Sequence, residues 1–568
     1  MKYFTFILLV SLLFSCAEKK TTADLIIRGG KIYTANDAQP EVEAVAVKGD
    51  KILFAGSEKE AEQFKNDQTK VIDLQGKTMT PGFIEGHGHL QGLGFQELTL
   101  NLADAKSYEE VVEWVKGAVA QSKPGDWIVG RGWHQDRWEK KPSKLVKGFQ
   151  TNELLNSVSP NNPVYLTHAS GHASFVNAKA IEIAGLNQLS KEQLRRDLGE
   201  GGEIIRDPLG NPTGILIEHA QSLVSKFILQ ASLETLSKVY ESAMDVCLRN
   251  GITSFHDAGL DRQDLTVLRT LKNENKLKVR LYEMLSGSDK SLVSDFFKKG
   301  IEVDSTHWLT IRSVKLYSDG ALGSRGAWLL APYLDRKETS GMPLMSMDSI
   351  YIVSKKGLKA GFQICTHAIG DRANREVLDQ YEKAFKENPD QSQDVRFRIE
   401  HAQHIDPQDI PRFAKLGVIP AMQAIHLSSD RPWAIDRLGM ERIKASAYMW
   451  QSLLKSGAHI VNGTDVPVEP INPIACFFAS VTRQTLKGEP VGGYEPAEKM
   501  TRAQALKSYT LDAAYGAFEE KFKGSIQAGK LADFTIFSQD LMTVPDDKIL
   551  STEVAMTIVG GKVAFEKK

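Results

Sequence analysis

Cysteine is scarce in this chain, with four in 568 residues. Once Cys16 is set aside, Cys247, Cys365 and Cys476 are odd in number, widely spaced and set in apolar text. That excludes a disulfide framework and points to buried free thiols. An excess of either charge is lacking as well: 70 Lys and Arg stand against 71 Asp and Glu, a formal net charge of −1. A balanced chain has no electrostatic footprint for nucleic acid, so none is expected as a partner. Internal repeats and low-complexity tracts are missing too, which excludes solenoids and disordered arrays.

A long hydrophobic run is also missing. The stretch "MKYFTFILLVSLLFSC" is apolar mainly from Phe4 to Phe14, too short to span a bilayer but suited to a signal-peptide core. Its ending, "LLFSC", resembles a bacterial lipobox. The abrupt change to "AEKKTTAD" argues against a buried N-terminal helix. The expectation is a lipoprotein signal over 1–16, lipidation at Cys16 and a tether over 17–23. The location would be the envelope of a bacterium, on its periplasmic side or at the cell surface. Membrane contact would be through the lipid anchor only.

What is present is strand text of two kinds. "DLIIRGGKIYT", "EAVAVKGDKILFAG" and "KVIDLQGKTMTPGF" alternate apolar runs with Gly-Gly, Gly-Asp and Gly-Lys turns, and "GSIQAGKLADFTIFS" and "VAMTIVGGKVAFE" repeat the style at the other end. These read as hairpins from both termini combined in one small β-sandwich, over 24–80 and 515–568, with five strands expected. Between them, apolar strands follow helical stretches such as "SLETLSKVYESAMDVCLRN", which should stop at Gly251. Eight such strands are legible: "GFIEGHGH", "ITSFHDAG", "KVRLYEML", "IRSVKLYSDG", "FQICTHAIGD", "VRFRIEHAQ", "GVIPAMQ" and "AHIVNGTDVP". Strands alternating with helices, eight in number, predict an α/β fold, a (β/α)8 TIM barrel over 81–514. About 160 residues separate the first two strands. They imply a large insertion over about 93–230, on the loop side where specificity usually resides.

Polar residues stand at the ends of these strands. His87 and His89 close the first, Lys315 lies in the fourth, His367 ends the fifth, His401 the sixth and Asp465 the eighth. Parallel-barrel strand ends converge on one face, where barrel active sites lie. Four imidazoles, an amine and a carboxylate in one mouth form a donor set for two divalent metal ions, with zinc the natural candidate. Lysine cannot ligate while charged, but burial lowers its pKa. A neutral Lys315 could add carbon dioxide and become a bridging carbamate. His87, His89, Asp465 and the carbamate would hold one ion, and the carbamate, His367 and His401 the other. A metal-bound hydroxide would then be the nucleophile, with Asp465 as the proton carrier.

The motifs "PGFIEGHGH", "SGHASFVN", "VKLYSDGALGSRGAW", "THAIGDRAN", "RIEHAQ", "GTDVPV" and "GSIQAGKLADFTIF" resemble the amidohydrolase superfamily. They also look like its family 3 branch, which contains N-substituted formamide deformylases and related hydrolases. The likeness runs from about Asp24 to the end. It implies a metal-dependent hydrolase of a non-peptide C–N bond, amide or formamide, acting on a small-molecule substrate; a homodimer is compatible with it. By that likeness His172 contacts substrate and stabilises the oxyanion. Substrate-binding candidates near the same mouth are Asp319 and Arg325 in "SDGALGSR", Trp133 in "VGRGWHQDRW" and His404 after "EHAQ".

Each candidate has a plainer alternative. Lys315 could pair with Asp319, Asp465 could cap a turn before Pro467, and Trp133 could be a core residue. A deaminase of a nitrogen heterocycle is a second reading, although such barrels carry a Glu three residues after the fifth-strand His, where this chain has Gly370. A third reading is a non-catalytic envelope lipoprotein that captures a small ligand.

Overall fold

Eight short runs in the middle of the chain form the parallel barrel. They are β1 (Phe83–Gly88), β2 (Ile252–Leu260), β3 (Arg280–Ser286), β4 (Leu309–Tyr317), β5 (Gln363–Ala368), β6 (Arg398–His401), β7 (Ile419–Met422) and β8 (Val461–Asn462). In this computed structural model, which describes residues 21–568 apart from 191, 194–195, 197–200 and 229–230, each pairs in parallel with the next. β1 and β5 are buried at every position, as strands covered on both faces must be. The barrel closes where the Asp465 amide donates to His87 O at 2.8 Å. Gly86 makes that approach possible, since a Cβ there would lie 2.4 Å from Asn462 O.

The helix before β2, Leu233–Arg249, is capped by Ser232, whose side chain accepts from the Thr235 amide. It ends before Gly251, whose φ of +77° releases the chain into the strand. Helices Arg262–Asn273, Lys290–Lys299, Met347–Ala360 and Asp371–Glu387 follow β2 to β5 in turn. They pack Leu, Val and Phe side chains onto the barrel's outer face.

Between β1 and β2 lies a separate six-stranded sheet. Its order is Gly202–Arg206, Pro212–Glu218, Ala173–Val176, Val164–His168, Ile128–Trp133 and Leu100–Asn101. It has its own apolar cluster around Trp133, Trp138, Phe175 and Leu155.

The terminal strands form one mixed sheet of eight strands rather than the expected five. Thr78–Pro81 joins the two ends of the chain, pairing antiparallel with Phe534–Phe537 and parallel with Leu25–Tyr33. Four-residue strands such as this one and Lys70–Asp73 are too short to show a two-residue alternation in the text, which explains the undercount. The buried Arg280–Asp533 pair, 2.7 Å, ties that sheet to β3. The signal peptide, Cys16 and residues 17–20 of the tether lie outside the described residues. Among the described residues no helix is long and apolar enough to cross a membrane.

Candidate metal centre

β1 delivers His87 to the barrel mouth with its ring fully buried. The strand ends at Gly88, so His89 is the residue before the helix Leu90–Leu98 rather than part of the strand. The two rings nonetheless meet, 5.7 Å apart and nearly perpendicular. His401 ends β6 with φ +74°, and Asp465 follows β8 with φ +59°. Left-handed backbone is costly for residues other than glycine, and it persists where the surroundings impose it, commonly at functional sites. Here it turns both side chains into the mouth.

The convergence is close. His89 Nε2 lies 3.1 Å from Asp465 Oδ1, and His87 Nε2 lies 3.6 Å from the same oxygen. The rings of His367 and His401 are 4.5 Å apart, and those of His87 and His401 4.9 Å. Lys315 Nζ, from β4, stands 3.2 Å from His87 Nε2. His172 arrives from the inserted sheet, its ring 5.3 Å from that of His367. The structure therefore brings together His87, His89, Lys315, His367, His401, Asp465 and His172. The Lys315–Asp319 pair does not form among the described residues.

The donor set fits a metal. Ligand atoms of His87, His401 and Asp465 all lie within 4.8 Å of one another. His367 Nε2 and Asp465 Oδ1 are buried and make no well-aligned hydrogen bond, although Asp319 Oδ1 lies 3.4 Å from the first and His89 Nε2 3.1 Å from the second. Buried polar atoms left in this way are costly unless a ligand satisfies them. The rings are also held from behind, as ligating imidazoles usually are. His87 Nδ1 meets Glu400 Oε2 at 2.5 Å, and Arg398 grips both oxygens of that carboxylate at 2.7 and 2.8 Å. His401 Nδ1 meets Gln423 Oε1 at 2.7 Å.

Electrostatics favours the ligating protonation states. Burial pushes His87 down to about 4, helped by the Lys315 charge. Burial likewise holds His367 and His401 well below the usual imidazole range. Burial would raise Asp465, but the His89, His401 and His87 imidazoles hold its carboxyl well below the ordinary value. Burial also lowers Lys315, although Glu400 and Asp465 oppose it. Neutral imidazoles beside an ionised carboxylate are the form that binds a divalent ion.

A cavity of about 500 Å³ opens over this floor, lined by His89, Lys315, His367, His401 and Asp465 below and by Arg131, His172 and Glu218 from the inserted sheet. Four expected substrate contacts do not line it. Trp133 is fully buried in the inserted sheet, its indole donating to Leu166 O at 2.8 Å. Asp319 is a loop organiser, accepting from the backbone amides of Trp328, Ile369 and Gly370 at 2.8, 3.0 and 2.8 Å. Arg325 is engaged by Asp335 at 2.7 Å. His404 is buried beside Tyr448, and burial lowers it to about 3. In each case the side chain is committed to packing or an internal partner.

Sequence reasoning missed Glu400, Gln423, Glu218 and Arg131. Glu400 had a local signal, because in "RIEH" it precedes a ligand candidate and shares a strand face with Arg398. Glu218 had none: it reaches His172 Nδ1 at 2.8 Å across 46 residues.

The sequence pattern of the amidohydrolase family matches residues 70–565. The chain belongs to the amidohydrolase family. This amidohydrolase is 32% identical over 555 residues to Protein LONG AFTER FAR-RED 3 of Arabidopsis thaliana, covering 96% of this chain and 92% of that one. It is 25% identical over 562 residues to N-substituted formamide deformylase of Arthrobacter pascens, with 96% and 98% covered. Among solved structures, an uncharacterized metal-dependent hydrolase from Pyrococcus horikoshii OT3 superposes with a TM-score of 0.73 at 27% identity, covering 92% of this chain and 99% of that one. The amidohydrolase is thus a metal-dependent hydrolase of C–N or related bonds. Membership of this hydrolase family displaces the non-catalytic ligand-capture reading.

Proposed function

We propose that this amidohydrolase cleaves a non-peptide C–N bond, an amide or formamide, in a small molecule held in the mouth cavity. The observation that carries the reading is the meeting of four imidazoles, Lys315 and Asp465 beneath that cavity, with buried donor atoms that make no well-aligned hydrogen bond. His87, His89 and Asp465 would hold one divalent ion, zinc by preference. His367 and His401 would hold a second, and a carbamate formed on the desolvated Lys315 would bridge the two. When bound, such ions acidify a water near neutral pH and polarise a carbonyl.

The chain's own groups do the rest. Asp465, which lines the cavity, is the acceptor for the attacking water's proton and passes it to the leaving nitrogen. His172, held by Glu218 through Nδ1 with its ring 5.3 Å from that of His367, is the donor to the carbonyl oxygen. In this reading the six-stranded sheet is the insertion over about 93–230 roofing the barrel, and the two-terminus sheet is the sandwich of 24–80 and 515–568. Heterocycle deamination is disfavoured because a Cβ at Gly370 would lie 2.0 Å from Trp328 O, so no acid can stand there. Export and anchoring at Cys16 complete the proposal, resting on the text of residues 1–16.

Metal content and turnover test it. Protein supplemented with zinc or manganese should carry two equivalents and release amine from some member of a panel of N-formyl amines, N-acyl amines and cyclic amides. Less than one bound equivalent would overturn the reading.

A further inference from the structure

Arg131 stands apart from the other arginines of the inserted sheet. Arg137 pairs with the Glu469 carboxylate, and Arg206 donates to the carbonyls of Gly210, Leu186 and Leu189. Arg131 lines the catalytic cavity with one hydrogen bond, from Nη2 to Ala169 O at 3.0 Å. Its Nε is buried with no partner, and among the described residues no carboxylate lies within ion-pair distance of the guanidinium. A guanidinium partly withdrawn from water, with only the Asp465 charge acting on it at longer range, is costly, and that cost is recovered when a ligand brings an anion into contact.

The other charges of the cavity are already spoken for. Glu218 is bound to His172 at 2.8 Å. Asp257 accepts from the Leu90 amide at 3.0 Å, and Asp264 from Gln91 Nε2 at 2.5 Å. Asp465 belongs to the floor with His89 and His87. Lys315 sits against His87. Among the described residues Arg131 lines the cavity without a carboxylate partner.

Its placement is rigid. Ile128–Trp133 is an interior strand of its sheet, with Arg131 in register with Thr167 on one side and Asn101 on the other. Nη2 is further held by its hydrogen bond to Ala169 O at 3.0 Å. A pre-positioned arginine loses little freedom on binding, and its planar fork matches a carboxylate.

We propose that Arg131 is a specificity-determining residue that recognises a carboxylate on the substrate, so that the preferred substrates are amides bearing an acid group near the scissile bond. This rests on the amide-hydrolase reading above. A single guanidinium in a cavity also lined by the carboxylates of Glu218, Asp257 and Asp264 suits a monoanion better than a phosphate.

The test compares matched pairs, N-acyl amino acids against their carboxamides, with glycine, leucine and phenylalanine as the amino acid. Binding is measured by titration calorimetry on zinc-loaded protein in an Asp465→Asn background, so that turnover does not intervene. The acid of at least one pair should bind about tenfold tighter than its amide. Arg131→Met should abolish that ratio while leaving carboxamide binding in place, and Arg131→Lys should restore part of it. If no acid binds better than its amide, or if the preference survives Arg131→Met, the proposal is overturned. Failure of the hydrolase reading would look different: no turnover by the protein with Asp465 intact, with the acid preference in binding preserved.

Discussion

The floor and the roof of the cavity are built by different rules. On the floor, ligand candidates project from parallel strands, and each is gripped from behind: His87 by Glu400 and Arg398, His401 by Gln423. On the roof, the cavity-facing groups His172, Glu218 and Arg131 hang from a sheet with a separate apolar cluster. Roof and barrel are joined by ion pairs such as Arg137–Glu469 and Arg437–Asp136. In the function proposed above the floor holds the metal and the proton carrier, while the roof contributes His172 to the substrate carbonyl and Arg131 to selection. Substitutions should separate metal binding from substrate recognition.

The largest expected effect lies on the floor. Asp465→Asn keeps the side-chain volume but removes the carboxylate proposed as proton acceptor. Turnover should fall by about 10³-fold, with the fold and most bound metal retained. Near-normal turnover would remove Asp465 from its role. The complementary roof substitution is Trp133→Ala, which empties a fully buried site between Trp138, Phe175 and His168. A loss of about 3–5 kcal/mol in stability is expected. Metal content at a temperature where the protein stays folded should be unchanged. Loss of metal alongside stability would show that roof and floor are one cooperative unit.

A smaller effect is expected behind the ligands. Glu400→Gln retains a hydrogen-bond acceptor for His87 but removes the charge that Arg398 and His87 share. Metal affinity should drop about 10- to 100-fold, whereas His172→Asn should reduce turnover and leave affinity untouched. Metal-competition titration with a chelator distinguishes the two, and an equal loss in both variants would erase the division of labour.

The floor was legible because strand order is a strong constraint. Once eight runs are read as a parallel barrel, the residues at their ends must share a mouth, whatever the loops do. His87, Lys315, His367, His401 and Asp465 follow from that rule. The roof was not legible for the same physical reason in reverse. Trp133 and Arg131 are two residues apart on one strand, yet a register shift beside Thr167 and His168 sends one into the core and the other to the cavity. No periodicity in a six-residue strand signals such a bulge. Asp319 and Arg325 were placed correctly past β4, but whether a loop polar group turns inward is set by partners far along the chain, such as Ile369 and Gly370.

The smallest effect tests whether the barrel interior is tuned for function beyond the ligands. Glu283 on β3 is fully buried, and neither carboxylate oxygen has a hydrogen-bond partner. Burial, reinforced by Asp257 and Asp264, pushes its pKa well above the ordinary 4.5. The folded state therefore keeps this proton while the unfolded chain releases it. Stability should fall as pH rises above 4.5, by at most about 1.4 kcal/mol per pH unit. Glu283→Gln mimics the protonated form, so it should be neutral at pH 4 and stabilising at pH 8. Asp257, raised by burial to about 7, adds a slope of the same sign, so one substitution should flatten the profile only in part. Denaturant unfolding in chelator at both pH values decides it, because chelation removes any contribution from metal loss on the floor. An effect of Glu283→Gln that is the same at both values would mean that the carboxyl is ionised in the folded barrel.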